Sequence, residues 1–255
     1  MKHPLLKLAE RAPVVRGLVR RAVDALSPPV DSQGVLVLRF VPESEPDSSE
    51  LRRMLVALES AGVQSPPWLP LARLGELPWP ADSPTVLITL DRPTRAFIDR
   101  VVEVTSELQW APIVFVTPGS PLLQHAPDLT GQGVVICPML VGKGSVVTEA
   151  IVRATRESFA QEIGYAPNFV AFPESADPEW AGRAARQAGF GAAFGVQTGL
   201  ASVQFQQTLQ PRVTWSREVP VAEVVGWALR DRDALATAEL TRWIARVNAP
   251  KSPPR

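Results

Sequence analysis

The sequence predicts an α/β protein in which strands and helices alternate along the chain. Short apolar runs such as "VLVLRF" (35–40), "PTVLITL" (84–90) and "PIVFV" (112–116) have the length and β-branched content of buried strands. Longer stretches between them, such as 48–62 and 145–164, space their apolar residues three and four apart, as one face of a helix requires. Cap residues stand where these helical stretches begin and end. Repeated βα units need a parallel sheet, either open and doubly wound or closed into a barrel, and periodicity leaves both open.

In order along the chain, "VLVLRF" is the first strand. "SSELRRMLVALESAG" (48–62) is a helix with a serine N-cap and a terminal glycine. The strand at 84–90 leads into a helix running to about residue 108, and strands follow at 112–116 and 133–137. The long amphipathic helix over 145–164 ends at Gly164, and "NFVAF" (168–172) is the next strand. The helix over 177–189 has Asp177 as cap, Pro178 in its first turn and Gly189 at its exit. A short strand (192–196) and helices over 221–229 and 233–246 complete the series, before a disordered tail at 249–255.

Length and charge bound the classes. At 255 residues the chain fits one large domain, with an N-terminal segment over 1–30, a main body over 31–220 and C-terminal helices over 221–248. Acids and bases balance at 26 each, so bulk charge gives no reason to expect nucleic acid as a partner. The balance is uneven: Lys2, Lys7, Arg11, Arg16, Arg20 and Arg21 face only Glu10 and Asp24 in the first 30 residues. That segment reads as a helix packed on the domain or a partner, or as one lying at the periphery of an anionic membrane. The one cysteine, Cys137, allows neither an internal disulfide nor a multi-cysteine metal cluster. No apolar run approaches the roughly 18 residues of a membrane helix. The N-terminus lacks the pattern of a signal peptide, and the expected address is cytoplasmic.

The order of motifs resembles the polysaccharide deacetylase family, carbohydrate esterase family 4. "VLITLDRP" stands where that family has a strand ending T-F-D-D-G, and "APIVFVTPG" stands at its following strand. "TEAIVRATRESFAQEIGYAPNFVAFPES" resembles its long helix and the strand ending F-x-x-P-(Y/F)-G; "DPEWAGRAARQAGFGAAFGVQTG" resembles its next helix and strand. The resemblance spans about residues 35–200 and implies a distorted, incomplete (β/α) barrel. It also implies a divalent metal, held by the second Asp and two histidines, that activates water beside a general-base Asp.

The residues that carry this chemistry differ. Asp91 stands at the base position, but Arg92 replaces the metal-binding Asp with a permanent cation. The histidine segment falls near "GVVICPMLVGKG" (133–144), which has no histidine and contains Lys143. The chain's two histidines, His3 and His125, stand far apart in the sequence, so a two-histidine site cannot be built. We therefore expect no catalytic metal and no cofactor.

The candidate site residues are Asp91, as a retained base or one member of an ion pair with Arg92 or Arg95 nearby, and Arg92, as an anchor for a carboxylate or phosphate. Pro173 and Glu174 follow from the family's strand end, and Trp215 is either a stacking platform or core packing. Cys137 reads as an inert buried thiol and His125 as a surface residue. "VGKGS" (141–145) lacks the upstream glycine of a P-loop, and no G-x-S-x-G elbow supports a triad. The expected function is non-catalytic binding of a glycan or of a protein partner in envelope polysaccharide biosynthesis. An active carbohydrate deacetylase and a membrane-surface adaptor are the alternatives.

Overall fold

A computed structural model of the chain describes residues 34–68, 71, 83–141, 147–197, 199–201 and 208–229. The basic segment 1–30, Lys143, the helix expected over 233–246 and the tail lie outside the described residues. The strands are β1 (Leu36–Phe40), β2 (Val86–Asp91), β3 (Ile113–Val116), β4 (Val135–Pro138), β5 (Phe169–Ala171), β6 (Ala192–Phe194) and β7 (Val213–Thr214). Five form one parallel sheet in the order β4-β3-β2-β1-β7, and β5 and β6 form a parallel pair. Single parallel bridges, Met139 to Ala171 and Phe194 to Gln210, join the pair to the larger sheet at its two edges. The sheets thus curve into a distorted, incomplete (β/α) barrel, which decides between the two arrangements that periodicity leaves open.

The helices are α1 (Ser48–Ser60), α2 (Arg95–Glu107), α3 (Ala126–Gly131), α4 (Glu149–Ile163), α5 (Pro178–Gln187) and α6 (Val221–Ala228). Their ends follow the cap residues. Asp47 caps α1, correcting the expected serine, because its carboxylate accepts from Glu50 N while the Glu50 side chain accepts from Asp47 N. Asp177 accepts from Trp180 N at 2.7 Å, with Pro178 in the first turn of α5. Gly164 ends α4 at φ 78°, a conformation that costs a residue with Cβ but not glycine. The helix expected from 145 begins at Glu149, where Thr148 supplies the cap. β7 and α3 are additions to the expected elements: β7 is only two residues long and α3 only six, too short for a periodic pattern.

Strand alternation divides the core. Leu36, Leu38 and Phe40 of β1 and Val86, Ile88 and Leu90 of β2 pack outward beneath the helices. Val35, Val37, Leu87, Phe115, Cys137, Phe169 and Phe194 fill the interior. Each such apolar side chain contributes roughly 1.5–3 kcal/mol by burial. The same parity turns Arg39, Thr89 and Asp91 inward at the carboxyl ends of β1 and β2, so apolar filling gives way to charge at the mouth. Among the described residues no helix is long and apolar enough to cross a membrane.

Candidate functional site

Three neighbouring strands build the mouth. Asp91 is the last residue of β2, Arg39 the penultimate residue of β1, and Arg212 directly precedes β7. Register places Arg39 opposite Thr89 on one side and Thr214 on the other, so both guanidinium groups reach the same carboxylate. Arg212 donates from its two terminal nitrogens to Asp91 Oδ1 and Oδ2 at 2.7 and 3.1 Å, a bidentate pair. Its Nε donates to the carbonyl of Gly195, just past β6, at 2.7 Å. Its guanidinium lies 5.3 Å from the Phe115 ring centroid. Arg39 Nε adds a third bond to Asp91 Oδ2 at 2.6 Å, and Arg39 also donates to Thr214 Oγ1 at 3.3 Å.

Asp91 and Arg212 are both fully buried. Burial alone would raise the Asp91 carboxyl, but Arg212 and Arg39 outweigh it and hold the group below the usual carboxylate range. Burial lowers the Arg212 guanidinium, and Asp91 opposes that effect. A carboxylate so held keeps its charge but has no affinity for another proton near neutrality. A general base needs the opposite, an oxygen within reach of substrate and a pKa near the working pH.

Arg92 follows Asp91 in the left-handed region at φ 49°, its amide donating to the Phe115 carbonyl at 2.8 Å. Its side chain is exposed. Arg95, the other sequence neighbour expected as a partner for Asp91, instead pairs with Asp99 at 2.8 Å. Pro173 and Glu174 lie just beyond β5, and the Pro173 carbonyl accepts from Ala176 N in a tight turn. Since the strands run parallel, Asp91, Arg92, Pro173 and Glu174 share the carboxyl end of the barrel. Trp215 is 4 % exposed and packs against Phe40 with ring centroids 5.7 Å apart, so its ring belongs to the core. Cys137 is buried in the interior, which pushes its thiol up to about 12. His125 is exposed at the start of α3.

The residues present do not fit the divalent ion that the resemblance implies. Arg92 stands where a carboxylate ligand is needed, and both oxygens of Asp91 are engaged by guanidinium groups. Among the described residues no three His, Cys, Asp or Glu side chains converge to hold a metal. Arg39 and Arg212 were absent from the expected site. A signal for the first exists in the sequence: an arginine in the otherwise apolar strand "VLVLRF" demands a buried counter-charge.

No family model and no curated protein sequence matches the chain. Solved structures do. The deacetylase PplD of Streptococcus pyogenes, in complex with acetate, superposes with a TM-score of 0.61 at 12% identity, over 75% of this chain and 96% of that one. A polysaccharide deacetylase from Bacillus cereus gives 0.59 at 9% identity, over 76% and 68%. IcaB from Ammonifex degensii gives 0.57 at 15% identity, over 77% and 97%. Parallel strand order, two lone bridges at the seams and these superpositions agree: the chain has the fold of the polysaccharide deacetylases.

Proposed function

We propose that this chain is a polysaccharide-deacetylase-like protein without hydrolytic activity, whose barrel mouth binds a glycan in bacterial polysaccharide or cell-envelope biosynthesis. The observation that carries the reading is the occupation of Asp91. The one carboxylate at the base position is buried, and both of its oxygens are held by Arg39 and Arg212. Arg92, exposed beside it, repels a divalent ion. A site that cannot activate water can still hold a sugar, because binding needs donors and acceptors but no titrating base.

The test has two arms. Acetate release from an acetylated chitooligosaccharide is measured with and without added zinc, nickel or cobalt, and binding of the same oligosaccharide is measured by calorimetry. The reading expects binding without acetate release, and no rise in melting temperature on adding metal. Acetate release abolished by Asp91→Ala would return the chain to the active deacetylases. A folded protein that binds no glycan would favour a protein partner, or a membrane-surface role through residues 1–30, which lipid-vesicle pelleting with and without that segment separates.

A further inference from the structure

We infer that the mouth prefers a sugar bearing an anionic group, a carboxylate or a phosphate; the inference rests on the proposed reading of the mouth as a glycan site. Charge at the mouth is unbalanced. Asp91 and Glu174 bring two negative charges to this end, against three positive charges from Arg39, Arg212 and Arg92. Among the described residues neither Arg39 nor Arg92 has a salt bridge to any other acid.

The donors divide into those already spent and those still open. Arg212 is fully buried, and each of its three guanidinium nitrogens has an acceptor. Arg39 spends Nε on Asp91 and Nη1 on Thr214, which leaves Nη2 without a hydrogen bond among the described residues. The Arg39 side chain keeps 16% exposure, so it is the part of the buried cluster that meets solvent. Among the same residues Arg92 makes no side-chain hydrogen bond, and its positive φ places it just where β2 leaves the sheet. Anchoring of Arg39 by Asp91 and Thr214 fixes the guanidinium in advance, so little entropy is lost when an anion docks.

The same end holds an acceptor with no donor among the described residues. Gln197 Oε1 is buried and unpartnered, in the turn where the Gln197 carbonyl accepts from Arg212 N at 2.7 Å. Buried acceptors are rarely left without a donor, and a sugar hydroxyl supplies one while a carboxylate by itself does not. Together these features ask for a ligand with negative charge and hydroxyl groups.

Titration calorimetry with glucuronate, glucose 6-phosphate, glucose and inorganic phosphate tests this on the full chain. Glucuronate and glucose 6-phosphate are expected to bind about ten- to a hundredfold more tightly than glucose, the effect of a charge-assisted bond. The preference for one of the two identifies the carboxylate or the phosphate source. Arg92→Ala, an exposed change that leaves the buried cluster intact, is expected to weaken the anionic sugars about tenfold, with Arg92→Lys recovering part. Arg39→Met is expected to do the same, its fold checked by circular dichroism. Equal affinity for glucose and the anionic sugars would overturn the inference while leaving the glycan reading in place. So would anion binding indifferent to both variants, or inorganic phosphate binding as tightly as the sugar phosphate. Binding of none of the four overturns the inference, and chitooligosaccharide binding then decides separately whether the glycan reading survives.

Discussion

Arg212 grips Asp91 by both carboxylate oxygens across 121 residues of sequence, and neither side chain is exposed to solvent. The pair spans the barrel mouth from the end of β2 to the start of β7, and Arg212 ties it to Gly195 beyond β6. Three strand ends thereby depend on one guanidinium.

Charge counting orders the effects of breaking this cluster. Asp91→Asn leaves Arg39 and Arg212 close together without a counter-charge, so a loss of about 3–5 kcal/mol is expected. Arg212→Met leaves Asp91 neutralised by Arg39 and should cost less. Arg212→Lys recovers only part of that loss, since one ammonium cannot serve both Asp91 oxygens and the Gly195 carbonyl. Urea denaturation measures all three. If Arg212→Met proved the more damaging, the Gly195 bond and packing on Phe115 would outweigh charge.

Acid should weaken the fold through Asp91. Its folded pKa is depressed by Arg212 and Arg39 against the burial that would raise it, while an unfolded Asp titrates at about 3.9. The stabilisation is therefore present above about pH 4 and is lost as the pH falls through the lower, folded value. Urea midpoints between about pH 5 and pH 2 check this. A shallower fall is expected in Arg212→Met, in which one of the two charges is gone; identical slopes would place the acid sensitivity elsewhere.

Cys137 should be silent in the native protein. Its thiol is fully buried in the barrel interior and pushed up to about 12, so almost no thiolate forms at pH 8. Iodoacetamide is expected to label one thiol per chain in urea and none without it, followed by mass spectrometry. Rapid native labelling would reveal opening of β4.

Gly195 should not tolerate a side chain. A Cβ there would collide with Gln197 Oε1 and meet two Leu209 carbons at 3.0 Å, on the residue whose carbonyl receives Arg212. The amide can swing away, but the buried leucine cannot yield as easily. Gly195→Ala is expected to cost about 1–3 kcal/mol by overpacking. Denaturant midpoints indistinguishable from the parent would show that this turn relaxes freely.

Much of the fold is legible in the sequence because the chemistry that sets it is local. Asp177, Pro178 and Gly189 mark the limits of α5 because capping and positive φ act over a few residues. The strand "VLITL" is apolar except for Thr89, whose hydroxyl donates to the Leu38 carbonyl, and such runs are buried wherever the chain takes them. The alternation of the two element types requires a parallel sheet. Whether that sheet stays open or curves is beyond local pattern, since it depends on lone bridges such as Phe194 to Gln210.

The site was decided by tertiary structure. The sequence places Asp91 and Arg92 side by side and draws attention to Arg92 and Arg95 as neighbours. Arg92 leaves the strand in the left-handed region with its side chain exposed, and Arg95 opens α2, where Asp99 one turn on pairs with it instead. The partners that fix Asp91 stand 52 and 121 positions away, brought together only when β1, β2 and β7 align in parallel register. The sequence by itself determined which residue types stand at each strand end, because hydrophobicity and caps are local properties. Which of those ends meet, and so which charges cancel, was set by the curvature of the sheet.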